Sequence, residues 1–180
     1  AGINFGFTAT ESLGAVEALA KAGVSTADIL GGALTGALTL AAAGNLDVAT
    51  AAETAASALT QFGLAGEDVP RVADALAGGA NAAQGGVDEL RAALNQSGLV
   101  ASQFGLSLEE TVGALTTFAS AGLLGSDAGT SFRSMLLRLA KPTEDSKKAM
   151  EQYGLELFDA QGNFVGVEEA ANQLQKGLGG

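Results

Sequence analysis

The sequence contains no cysteine and no histidine. The first absence excludes disulfides and thiolate metal sites and leaves the redox compartment open. The second removes His-based acid–base chemistry, His-containing triads and His metal ligands. Aromatic residues are scarce, at 5% of a 180-residue chain that is 47% apolar. Alanine and 26 glycines supply much of that apolar fraction, so the core is expected to rest on close backbone approach more than on large side chains. Cations are few as well: nine Lys and Arg stand against 20 Asp and Glu, for a net charge of −11 and a pI near 4.2. Nucleic-acid phosphates are bound by concentrated Lys and Arg that release counterions, so contact with DNA should be repulsive on average. No basic segment precedes an apolar run at the N-terminus, so no signal peptide is expected. A start at Ala1 without Met fits a piece of a longer chain.

What is present is helical periodicity. At this length folding buries ~70% of the unfolded chain's surface, enough for one domain with an appendage. Thr8-Ala9-Thr10-Glu11 has the form of a capping box and opens a helix to about Lys21, with Leu13, Val16, Leu19 and Ala20 on one side. Further helices are expected at about Ser25 to Ala43, Asp47 to Gln61, Asp68 to Ala83, Val87 to Gln103, Leu108 to Ser120, Ala128 to Ala140 and Glu144 to Tyr153. Gly78-Gly79, Gly85-Gly86 and Gly98 weaken the middle ones at ~1 kcal/mol each, which predicts short helices there.

Three junctions repeat. Ala22-Gly23-Val24, Phe62-Gly63-Leu64 and Phe104-Gly105-Leu106 each read as a glycine stop with a fold-back apolar residue, followed by acidic or hydroxyl residues that start the next helix. Their spacing, near 40 residues, is that of stacked helix pairs. After Tyr153-Gly154, Leu155 to Phe158, the turn Asp159-Ala160-Gln161-Gly162-Asn163 and Phe164-Val165 read as a small β-hairpin, before a short helix at about Glu168 to Lys176. The expected fold is thus mainly α: a multi-helical bundle or solenoid-like helix-pair repeat over 1–154, with a C-terminal β-hairpin and short helix over 155–180 packed on the same domain.

Candidate sites are sparse. Five of the nine cations fall between Arg133 and Lys148, on and after a helix whose apolar side reads Phe132, Met135, Leu136, Leu139 and which Pro142 ends. Arg133, Arg138 and Lys141 are candidate contacts for an acidic partner; the bland account has them complement the helix dipole and pair with Glu144 or Asp145. Ile29 to Leu46 carries no charge and spans ~27 Å if helical, with Ile29, Leu30, Gly32, Gly36, Leu38 and Leu40 as either a membrane-interacting or a buried helix. The Asp159 loop lacks the ligands of a calcium site. No glycine pair carries the Gly-Lys-Ser/Thr ending of a phosphate loop. The acid pairs Glu67-Asp68 and Glu109-Glu110 stand where helix starts favour negative charge, so no enzyme, cofactor or metal is expected.

Taken in order, these stretches resemble the conserved core domain of phage tail tape measure proteins of the TP901 type. The likeness is carried by Glu17 to Ser25, Leu40 to Gly44 with Leu46 to Ala49, Ala58 to Leu64, Val72 to Ala77, Phe104 to Thr111, Gly125 to Thr143 and Phe158 to Phe164. The resemblance implies a virion structural protein that sets tail length, nucleates tube assembly within the tail lumen and leaves ahead of the DNA at ejection. It also implies contacts with tail tube, tail-tip or assembly-chaperone proteins, homo-oligomers, a host-cytoplasmic stage during assembly, and host-membrane contact at ejection. It supplies no catalytic residue. A ruler should be one helix, ~270 Å for this many residues, whereas the glycine junctions cut this chain into short ones. The segment is therefore expected to be a compact assembly or terminus domain. The rival reading is a soluble helical-repeat module for protein–protein interaction.

Overall fold

In a computed structural model, which describes residues 6–82 and 85–178, the described residues form nine helices. They are α1 (Ala9–Lys21), α2 (Thr26–Gly44), α3 (Val48–Phe62), α4 (Val69–Ala82), α5 (Gly86–Gln103), α6 (Leu108–Ser120), α7 (Gly125–Ala140), α8 (Glu144–Gln152) and α9 (Val167–Leu178). The expected end of the fourth helix at Ala83, and residues 1–5 and 179–180 of the expected division, lie outside the described residues.

Local chemistry sets most boundaries. Thr8 and Glu11 form the capping box: the Glu11 N–H donates to Thr8 Oγ1 (3.2 Å) and the Thr8 N–H to Glu11 Oε2 (2.7 Å). Ser107 and Glu110 do the same at α6, at 3.1 and 2.8 Å. At the other ends, Gly23 takes φ +87°, and the Val24 N–H reaches back to the Leu19 carbonyl at 3.0 Å. Leu64 to Leu59 (2.9 Å), Leu106 to Ala101 (3.1 Å), Leu123 to Phe118 (3.0 Å) and Leu155 to Met150 (2.8 Å) repeat the bond. A further copy sits where no glycine marks it: Asn45 takes φ +50°, and the Leu46 N–H donates to Ala41.

These stops fold the chain into two rows. In one, α1 packs on α3, α3 on α5 and α5 on α7; in the other, α2 packs on α4 and α4 on α6. Sequence neighbours touch between the rows, so the first seven helices form a two-row helical bundle. Its interior holds Leu19, Leu38, Leu40, Leu76, Leu108, Leu115, Phe132 and Leu136, with alanines filling the spaces between. Apolar burial contributes ~25 cal/mol per Å², and small residues raise the yield by letting backbones meet. A Cβ at Gly36 would lie 2.9 Å from Pro70 Cα, and one at Gly129 2.8 Å from Ala93 Cα.

Close approach explains two departures from the expected helices. The glycines at 78, 79 and 98 do not shorten their helices: α5 runs unbroken for 18 residues. Gly98 there faces Gln61, whose Cδ would stand 3.0 Å from an added Cβ, and Gly79 faces Val112 and Leu90. The helix expected over Ser25 to Ala43 is interrupted by a π-helical turn, Ile29–Ala33, with Gly32 at φ +154°, a value that L side chains rarely adopt. Pro70 on α4 lies against both Gly32 and Gly36, and the interruption lets α2 seat on it.

The expected C-terminal β-hairpin is corrected by the structure. Phe158 and Phe164 make one isolated antiparallel bridge, and no strand forms among the described residues. The turn is coiled tightly by the Asp159 carboxylate, which accepts from the backbone N–H groups of Gln161 (2.9 Å) and Asn163 (2.8 Å). Leu157 and Asp159 turn their backbone groups toward the returning segment, with the Val165 N–H donating to the Leu157 carbonyl at 3.1 Å and the Asp159 N–H to the Asn163 carbonyl at 2.8 Å. On the opposite edge the Glu156 N–H donates to Gln173 Oε1 (2.8 Å) and its carbonyl accepts from Gln173 Nε2 (3.1 Å), which fastens the segment to α9. Phe158 and Phe164 instead gather around Phe104, with centroids 6.4 and 6.1 Å away.

Candidate functional site

Three of the four carboxylates in the acid pairs do structural work. Asp68 Oδ2 accepts from the Ala65 N–H at 2.9 Å, Glu110 caps α6, and Glu109 takes a two-pronged bond from Arg71 at 2.6 and 2.8 Å. That pair ties α4 to α6, and the Arg71 guanidinium holds the Glu109 carboxyl below its ordinary range. The Asp159 carboxyl is likewise lowered, first by the Asn163 side chain, and its oxygens are spent on its own loop. No group of three or more Asp or Glu side chains converges to hold a metal among the described residues.

The apolar run lies in α2. Ile29, Gly36, Leu38 and Leu40 are buried in the bundle and Gly32 is half-buried, whereas Leu30 projects outward with 79% of its surface exposed. Among the described residues, α2 alone is long and apolar enough to cross a membrane. Most of its contacts go to α4 and α3.

The basic set lies on α7, which closes one row. Gly125 starts this helix at φ +54°, three residues ahead of the expected start, because Gly125, Ala128 and Gly129 press the first turn against α5. Phe132 and Leu136 are fully buried, Phe132 edge-on to Phe118 at 6.1 Å, while Met135 and Leu139 are half-buried. The opposite face carries Arg133, Leu137 and Arg138, and Lys141 follows directly after the helix; all four are exposed. The pairing expected with Glu144 or Asp145 does not form: Glu144 is held by Lys147 at 2.7 Å. Among the described residues no carboxylate lies within 4 Å of Arg133, Arg138 or Lys141. The sequence missed Leu137, 45% exposed and one turn from both Arg133 and Lys141; its signal was its place off the Phe132–Leu136 face.

Two cavities flank the end of α7. One of about 570 Å³ is lined by Phe104, Ala140, Phe158, Asn163 and Phe164, and one of about 530 Å³ by Leu139, Pro142, Met150 and Leu157. Neither presents a convergent set of acid, base and nucleophile. The arrangement offers surfaces for binding.

The comparisons agree with that character. The chain is 37% identical over 99% of its length to the tape measure protein of Pneumococcus phage Dp-1, and 30% identical over 97% to the probable tape measure protein of Escherichia phage P2. It spans 16% and 21% of those relatives' own lengths. No solved structure matches it. A family model described as phage-related minor tail protein matches residues 1–180, and the chain belongs to that family.

Proposed function

We propose that this chain is a compact structural domain of a phage or prophage tape measure protein, acting in tail-length determination, tube assembly and DNA ejection without enzymatic activity. The observation that carries the reading is the alignment of nearly the whole chain with two tape measure proteins. The domain works within the lumen of the tail tube, after a stage in the host cytoplasm, and its partners are tube, tail-tip or assembly-chaperone proteins and further copies of itself. Arg133, Arg138 and Lys141 serve as the contact for an acidic partner. Ile29, Leu30, Gly32, Gly36, Leu38 and Leu40 form the segment that meets a host membrane at ejection, and it does so only if the bundle opens.

The bundle contributes to length determination through assembly, and is not itself a length of the ruler. Its longest described helix, α2, has 19 residues and doubles back on its neighbours. In-frame deletion of the segment from the parent protein should therefore abolish tails or leave their length unchanged. Tails shortened by about 270 Å, the helical length of the deleted residues, would show that it is part of the ruler.

A further inference from the structure

Residues 143–178 are joined to the seven-helix bundle more weakly than its helices are to one another. Each of the first seven helices buries two or more residues. In 143–178, Leu157 and Ala170 alone are buried among the described residues, and neither α8 nor α9 packs along a helix of the bundle. Among those residues no hydrogen bond or ion pair crosses from 143–178 to the bundle. The seam is apolar, with Phe158 and Phe164 against Phe104 and Val167 against the edge of the core. Ala140, Phe158 and Gly162 line both of the cavities at the end of α7, so the seam is loosely filled. Seven carboxylates against three cations sit on 143–178, and the bundle is acidic as well, so net charge does not hold the two together. Within itself the segment is well knit. Gln173 takes both backbone groups of Glu156, the Asp159 carboxylate holds its own loop, and Phe158 lies 5.7 Å from Phe164. Tyr153 meets Gly177 so closely that an added Cβ there would lie 3.0 Å from the Tyr153 carbonyl oxygen.

We infer that residues 143–178 form a hinged strap that undocks from an intact bundle as one cooperative unit and uncovers the face at Phe104 on which Phe158 and Phe164 sit. The hinge is the turn at Lys141 and Pro142, where Lys141 leaves the helix at φ −130° and ψ 67°. Undocking costs only the apolar seam, because no polar bond to the bundle has to break. Once free the strap melts, since about 36 residues with two buried side chains cannot sustain a fold of their own. The domain thus has a closed form and an open one that differ at the strap, with the bundle common to both. The inference goes beyond the tail role proposed above and does not depend on which partner that role supplies.

Native-state hydrogen exchange on the unsubstituted protein reads the unit directly. The Glu156, Asp159 and Val165 amides, each hydrogen-bonded inside the strap, should share one opening free energy, well below that of the α5 and α7 amides. Denaturant should lower it less steeply than it lowers theirs, because undocking exposes less surface than global unfolding. A chain without tryptophan allows a second reading. Phe158→Trp reports the seam and Phe118→Trp the bundle, and the first should change its emission at a lower urea midpoint than the second. Adding Phe164→Ala should lower the seam midpoint and leave the bundle midpoint within about 0.2 M of its former value. Strap amides that open independently of one another, a single opening free energy for strap and bundle, or Phe164→Ala lowering both midpoints together would each overturn the proposal.

Discussion

Gly129 and Ala93 bring the backbones of α7 and α5 into direct contact: an added Cβ at Gly129 would lie 2.8 Å from both Cα and the carbonyl carbon of Ala93. Gly129→Ala should therefore destabilise the fold by about 1 to 3 kcal/mol, since backbone must yield. Gly113→Ala, in the interior of α6 with nothing within 4 Å, is the matched control. It should stabilise by about 0.5 to 1 kcal/mol through helix propensity. Urea midpoints moving in the same direction for both variants would contradict the close approach.

Phe132 is the bulkiest fully buried side chain in a core made mostly of Leu, Val and Ala. Truncation to Ala removes its contact with Phe118 and leaves a cavity, which should cost about 3 to 5 kcal/mol. Loss of less than about 1 kcal/mol in chemical denaturation would mean that α7 is not docked as described.

Gln61 Oε1 is buried without a hydrogen-bond partner among the described residues, packed beside Gly98. Its amide nitrogen reaches Ser57 at only 3.4 Å. Gln61→Met keeps the length and removes the unmatched acceptor, so it should raise stability by about 1 kcal/mol. A destabilised variant would show that the glutamine has a partner the fold depends on.

Glu11, Asp47, Glu109 and Asp159 are all held below their ordinary carboxylate values, first by the side chains of Thr8, Thr50, Arg71 and Asn163 respectively. A depressed folded value adds stability that is present above the unfolded value, about 4, and is lost as pH falls through the folded one. Thermal midpoints should thus fall below about pH 4. Glu109→Gln should shrink that fall, and a midpoint that climbs steadily from pH 5 to 3 would refute the assignment.

An alanine-rich core and an acidic surface set two expectations for the purified protein. Its guanidinium midpoint should stay below about 5 M, short of the hyperstable range. It should also show no tight binding to duplex DNA at physiological salt. Strong retention on DNA would remove the charge argument for the proposed place of the domain in the tail lumen.

Caps and stops were legible because each is decided within four or five residues. Thr8 with Glu11, Ser107 with Glu110, and the glycines at 23, 63 and 105 all behave as their local sequence dictates. The stop at Asn45 was hidden, since asparagine marks this backbone state less clearly than glycine. The π turn at Ile29–Ala33 depends on Pro70, a residue on another helix, and no local pattern reports it. The lost hairpin follows the same logic: Phe104 and Gln173, both remote in sequence, gather the rings of Phe158 and Phe164 and fasten the outer edge of Glu156 to α9. Of the candidate surface, the cluster of cations was legible, and its lack of a carboxylate partner among the described residues was not. Whether Arg138 meets Glu144 depends on how the chain turns after Pro142.

The two-row arrangement also governs how the domain yields to force. Each helix of the bundle is held chiefly by helices one or two steps away in the chain. A pull on the C-terminal end meets α9, then α8, then the seams of α7 with α5 and α6, and never the whole core at once. The domain would come apart like a zip, one pair at a time, and feed through a bore far narrower than its folded width.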